Sequence, residues 1–186
     1  MKRWIYRIVA GLLLAGFILL GQALFLGDNA GNGARGSGQD AALPAAWQSM
    51  ETAEVMITAA GADKTSGPRY LSVRIADEPA ERAQGMQHLP ARVVRDHPIW
   101  FVFERPQRTG WHMRNVRIAL DIIYVDEAGT VISIERMEPE GSGYGINAPI
   151  AAALEVAAGQ AERLGITPGS RIVWTRSGVD SNPVSK

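Results

Sequence analysis

The segment GWHMRNVRIALDIIYVD, Gly110 to Asp126, sets the reading of the chain. In its second half Asp121, Ile123 and Val125 recur at every second position, the period of a β-strand, so Asp121 is expected to face inward with them. Its first half places an indole, an imidazole, a cation and an amide (Trp111, His112, Arg114, Asn115) directly before that strand. The segment is read as one bent strand or two short ones, with the core in its second half and a candidate surface in its first.

Working outward, Ile99 to Phe103 (IWFVF) is an unbroken apolar run, which predicts a strand covered on both faces. Asp126 to Gly129 makes a turn, and Thr130 to Met137 returns as the second arm of a hairpin, with Ile132 and Ile134 facing together. Glu138 to Pro149 is rich in Gly and Pro and reads as an irregular loop bearing Tyr144 and Asn147. Further strands are expected over Ala152 to Ala157 and Arg171 to Thr175, separated by a short helical turn from Gln160 to Leu164 that Gly165 ends. Upstream, Glu54 to Ala59 and Arg69 to Ile75 read as strands, the second with Leu71, Val73 and Ile75 on one face. Asp77 is positioned to cap a short helix from Pro79 to about Met86, and His88 to Pro98 reads as a connecting loop. Many short strands and few helices predict a mainly β domain, a compact sandwich or barrel with one or two short helices, over residues 51–176. Residues 177–186 read as a disordered tail.

The chain has 186 residues, room for one ordinary domain with appendages. With 19 basic and 19 acidic residues its formal charge is zero, so no field draws it to polyanions, and nucleic acid is excluded as an expected partner. The absence of cysteine excludes disulfides, thiol nucleophiles and thiolate metal sites.

Lys2, Arg3 and Arg7 precede an uncharged run from Ile8 to Leu26. As a helix it would cover roughly 28 Å, close to the hydrocarbon thickness of a bilayer and longer than the apolar part of a signal peptide. Its length favours a retained anchor at residues 1–26, inserted through residues 8–26. The basic residues before the run keep the N-terminus cytoplasmic and send the rest of the chain to the periplasm, giving a single-pass inner-membrane protein. The alternative is secretion to the periplasm after cleavage near Ala23, where Gly21 and Ala23 are small enough for signal peptidase. Residues 27–50, rich in Gly, Ala, Asn and Ser, read as a flexible linker, with Trp47 and Met50 as the first residues able to dock on the domain.

Six segments carry a resemblance: ERAQGM (Glu81 to Met86), WFVF (Trp100 to Phe103), WHMRN (Trp111 to Asn115), IALDIIYVD (Ile118 to Asp126), ALEVAAGQAERLGI (Ala153 to Ile166) and PGSRI (Pro168 to Ile172). In order and spacing they resemble domain of unknown function family 192. The resemblance implies a compact β-rich domain, often behind a signal peptide or membrane anchor in bacteria, and brings no established activity with it. Met113, Asn115, Leu120 and Asp121 fit the family pattern as they stand. The chain departs from it where the family has a second tryptophan (His112 here), a lysine (Arg114), a threonine (Val116) and a proline (Ala119). It also has Gly85, Met86 and Gln87 where the family shows glycine, leucine and methionine, and Pro98 to Phe101 where it shows a glycine, methionine, leucine and phenylalanine run.

The chemistry-bearing residues form no complete catalytic constellation. In one straight strand Asn115 and Asp121 would stand about 20 Å apart. A turn near Arg117 would be needed to bring them to one ligand, and the simpler expectation is that each satisfies buried backbone amides. His112, Met113, Met86, His88 and Met137 suit copper by ligand type but not by spacing, so no metal and no cofactor is expected. The glycine loop at Gly141, Gly143 and Gly145 lacks the lysine and hydroxyl of a phosphate cradle. An acid/base hydrolase of an envelope glycan or peptide would draw on Asp121, Glu155 and His112, although Glu155 reads equally as a solvated strand residue. The favoured expectation is a periplasm-facing binding or accessory module, meeting a glycan or a membrane-protein partner through Trp111, His112, Arg114, Asn115, Asp121 and Tyr144.

Overall fold

The structure, a computed structural model, describes residues 42–61 and 67–174. The expected anchor, most of the linker and the C-terminal tail lie outside the described residues, and no described helix is long and apolar enough to cross a membrane. In chain order the described elements are α1 (Ala45–Ser49), β1 (Thr52–Thr58), β2 (Arg69–Ala76), α2 (Pro79–Gln84), α3 (Ala91–Asp96), β3 (Ile99–Gln107), β4 (Trp111–His112), β5 (Leu120–Val125), β6 (Val131–Met137), β7 (Ser142–Tyr144), β8 (Ile150–Ala157), α4 (Gln160–Arg163) and β9 (Arg171–Trp174).

Seven strands form one sheet in the order β6-β5-β8-β3-β2-β1-β9, and β4 and β7 make a separate two-stranded ribbon. The fold is mainly β, as expected, but it is a single curled sheet, a half-barrel, and not two sheets facing each other as in a sandwich. Its two edge strands meet at one end: Val131 N donates to Ser170 O at 2.8 Å, and Ile172 N to Gly129 O at 2.8 Å. Gly129 permits this approach, since its φ is +81° and a Cβ there would stand 2.9 Å from Ile172 O.

Among the described strands only β2 and β3 pair in parallel. A parallel pair needs a crossover connection, and residues 77–98 supply one that carries α2 and α3. The expected loop from His88 to Pro98 therefore contains a helix, too short for its apolar pattern to show, with Val94 as its one buried residue. Glu78, not Asp77, is the N-cap of α2, and Glu81 Oε2 accepts from Glu78 N at 3.3 Å. The stretch from Gly110 to Val125 resolves into two strands, and the loop after Glu138 contains β7, paired with β4.

The sheet separates two apolar clusters. Inside the curl lie β-branched residues such as Val55, Ile57, Val73, Ile75, Ile123 and Val156, with Trp100. The outer face of the central strands is covered by Trp47, Met50, Met86, Leu89, Val94 and Met113, packed on Ile99, Phe101, Leu120, Ile122 and Tyr124. Ile99 to Phe103 does contribute to both clusters, with Ile99 and Phe101 outside and Trp100 inside. All six residues of β5 are buried, because a strand between two packed layers has no solvent face. The chain from Ala45 already belongs to this packing: Trp47 and Met50 are buried, and Arg74 lies over the Trp47 ring at 4.4 Å while donating to Met50 O at 2.8 Å.

Candidate functional site

The pleat of β5 and β8 assigns the candidate carboxylates to different places. Glu155 lies between Leu154 and Val156, which point inside the curl, and therefore projects to the outer layer, opposite Ile122 and Ile99. Asp121 lies between Leu120 and Ile122, which point outward, and therefore projects inside with Ile123. The two acids are on opposite faces of the sheet.

Asp121 is a structural tie. Arg136 Nε donates to its Oδ1 at 2.7 Å, while Gly159 N and Ala161 N donate to its Oδ2 at 2.6 and 3.4 Å. It thus satisfies the free amides at the start of α4 and holds that helix against the curl, which Ala161 and Ile166 help to fill. At Asn115 the residue is itself what is tied, and its side chain satisfies no backbone amide among the described residues. Its backbone N–H donates to the Glu140 carboxylate at 3.0 and 3.2 Å, its carbonyl accepts from His88 N at 2.9 Å, and its side-chain amide meets His88 Nε2 at 3.2 Å. His88, Asn115 and Glu140 all have positive φ, near 60°, so three strained residues hold one another in place. Tyr144 pairs with Trp111 across the ribbon, and its hydroxyl accepts from Glu138 N at 2.9 Å. Arg114 is exposed. Nothing brings Asn115 and Asp121 to a common partner, and Asp121 does not join Glu155 and His112.

Glu155 and His112 do share a cavity. Arg82 to Gln87 of α2 and the turn after it, Phe101 and Phe103 of β3, Thr109 to His112, Val116 and Glu155 line a space of about 220 Å³. Trp111 forms one wall, edge-on to Phe101 with ring centroids 4.8 Å apart. Gly85 ends α2 with φ 45° and ψ −134°, a conformation other residues avoid, and a Cβ there would lie 3.6 Å from Phe101 and 4.0 Å from Glu155 Oε2. Bare backbone at Gly85 keeps the space over the carboxyl open.

Glu155 is 5 % exposed and has no hydrogen-bond or ion-pair partner among the described residues, so it is not the solvated strand residue its sequence context allowed. Burial alone pushes its carboxyl from an ordinary 4.5 up to about 8, so the group is largely protonated at neutral pH. Nearby, Tyr124 donates to Glu135 Oε2 at 2.8 Å, and Gly145 N donates to the same oxygen at 3.1 Å. Burial, that hydrogen bond and the charges of Glu135 and Glu155 raise the Tyr124 phenol well above its usual range. Trp111 Nε1 is also buried without a partner. Among the described residues no three His, Asp or Glu side chains are grouped to hold a metal ion.

The family model of domain of unknown function 192, described as an uncharacterized ACR, matches residues 61–174. The chain belongs to this family. Solved structures similar to this DUF192 protein include the following two. One, from Sinorhizobium meliloti 1021 and described as a proposed transcription regulator, is 26% identical with a TM-score of 0.59, over 67% of this chain and 95% of that one. The other, a protein of unknown function from Novosphingobium aromaticivorans DSM 12444, is 29% identical with a TM-score of 0.58, over 67% of this chain and 86% of that one. No curated protein matches.

Reading the sequence found Trp111 and His112 but placed Glu155 only in the hydrolase set, because a lone glutamate among alanines and valines has no spacing that marks it. The signal present was the polarity itself, one acid inside the apolar run AAALEVA.

Removing Asp121 leaves the Gly159 amide unsatisfied, so Asp121→Ala is expected to cost about 3 kcal/mol of unfolding free energy. Arg136→Ala should cost clearly less, since Arg136 is half exposed and can return to water; urea unfolding of both variants checks the order.

Between pH 4.5 and about 8 the folded protein holds a proton on Glu155 that the unfolded chain has already released. Stability should therefore fall as pH rises through that window, with a slope approaching about 1.4 kcal/mol per unit. Glu155→Gln, neutral throughout, should flatten the slope and melt higher than the parent at the alkaline end. Parallel melting profiles would show that Glu155 is not the group responsible.

Proposed function

We propose that this DUF192 protein is a small-ligand binding module, tethered by its N-terminal segment to the inner membrane and facing the periplasm. The observation that carries the reading is Glu155, a buried acid without a protein partner beneath an open, aromatic-walled cavity. A buried polar group that makes no hydrogen bond costs on the order of 1–3 kcal/mol. A ligand that completes its hydrogen bonding would recover that cost, whereas a purely structural site would have filled the space with apolar atoms. The cavity is somewhat smaller than drug-sized sites, and suits a compact group such as one ring or one branched head. Exposed His112 lies on the rim, and Arg114, exposed two residues on, would add to the surface where a glycan or membrane-protein partner carrying such a group would lie. The uncharged run from Ile8 to Leu26 and the basic residues before it support the address, and tethering would raise the local concentration of a partner in the same membrane.

Two measurements on the full-length chain test this proposal. In spheroplasts of a bacterial host it should remain in the membrane pellet after a salt wash and be degraded by external protease; full protection would place the domain on the wrong side. In a thermal-shift screen of small metabolites, some compounds should raise the melting temperature of the parent but not of a cavity-filled Thr109→Trp variant, because binding to the folded state alone stabilises it. Equal responses from both proteins across the screen would remove the cavity as a ligand site.

A further inference from the structure

We propose that the cavity accepts a small organic cation, with Glu155 as its counter-ion and the rings of Phe101, Phe103 and Trp111 as its walls. This rests on the cavity being a ligand site. Glu155 is the one acid among the cavity-lining residues, and no described donor neutralises or hydrogen-bonds it. An anionic ligand would meet this acid, and Arg82, the cavity's one guanidinium, is already turned to the carbonyls of Asp77 and Val102. A neutral ligand could use it only as a hydrogen-bond partner, and would gain little from three aromatic rings beyond apolar contact.

A cation gains from both features. Aromatic faces carry negative potential that attracts ammonium and guanidinium groups, most strongly where water is excluded. One wall already shows this preference, with the Arg82 guanidinium 5.9 Å from the Phe103 ring centroid. Arg82 does not preempt the site, since it donates to the carbonyls of Asp77 and Val102, the second at 3.1 Å. The charged and titratable groups around Glu155 are Arg82 from α2, exposed His112 from β4, Tyr124 from β5 and Glu135 from β6; none from α3 lines the cavity. Glu135 is committed to Tyr124 and Gly145, which leaves the Glu155 side of this group with unused acceptor capacity.

Free Glu155 is held neutral by burial, with its carboxyl at about 8. A bound cation favours the carboxylate, so binding releases one proton to solvent, and affinity should rise about tenfold per pH unit below that value.

The test uses the full-length chain in maltoside micelles, with choline and its uncharged isostere 3,3-dimethylbutan-1-ol as probes and titration calorimetry as the readout. Choline should bind at least about tenfold more tightly than the isostere, more tightly as pH rises, and with release of one proton seen as a buffer-dependent heat. Glu155→Gln should abolish the preference and the proton release while keeping a native circular dichroism spectrum, and Glu155→Asp should retain part of both. His112→Gln should keep the pH dependence, which separates Glu155 from the rim imidazole. If the isostere binds as well as choline, or choline binds equally well at all pH values, the cation assignment is overturned while the cavity stands as a neutral-ligand site. If neither probe binds below roughly 10 mM, the cation assignment is likewise overturned, and the metabolite screen decides separately whether the cavity binds anything.

Discussion

The pleat of the β5–β8 pair is the constraint on which the rest of the structure depends. These strands sit between two apolar layers, so all of β5 and most of β8 is buried, and alternation alone decides which layer receives each side chain. Asp121 goes inside the curl and Glu155 goes outside. A one-residue slip in either strand would exchange those faces and leave a carboxylate without its surroundings, so the register is fixed strongly. The two acids then have opposite fates. One is saturated with three donors and secures α4, and the other is left without a partner under a cavity.

That division explains why the outer layer is irregular. Inside the curl, β-branched side chains from successive strands fill the space, and the edge strands come close enough to bond through Gly129 and Ile172. Outside, the covering pieces are short: three helices of five or six residues and a ribbon that pairs only Trp111 with Tyr144 and His112 with Ser142. Short pieces cannot tile a sheet completely. The gap between the end of α2 and the ribbon is the cavity, and Gly85 borders it without a side chain. The trio of His88, Asn115 and Glu140, all at positive φ, joins those same two pieces.

Much of the fold was legible in the chain because its strands alternate cleanly. LDIIYVD and the hairpin after it, the two-faced run IWFVF and the membership of DUF192 all follow from local pattern. What was not legible depends on distant partners. The α3 helix is six residues long and is fixed by the parallel crossover it belongs to, and the choice of a curled half-barrel over a sandwich shows in backbone pairing between residues 41 positions apart, Thr130 and Arg171. At the site, Asp121 could be read as an internal tie from its strand neighbours alone. Glu155 could be named as a candidate acid, but its lack of a partner and the cavity over it could not be read, since a sequence does not show an empty space. His88 gave no sign either, because its role is to hold Asn115 across a gap in the chain.

The central claim is that Glu155 is buried, unpaired and therefore neutral at physiological pH. A carbon-13 NMR titration of its side-chain carboxyl, assigned by comparison with Glu155→Gln, tests it directly. The account predicts a single titration near pH 8, well apart from the protein's other carboxylates. A Glu155 carboxyl that titrates in the ordinary range of about 4 to 5 would mean that water or a protein donor reaches it, and would contradict the account.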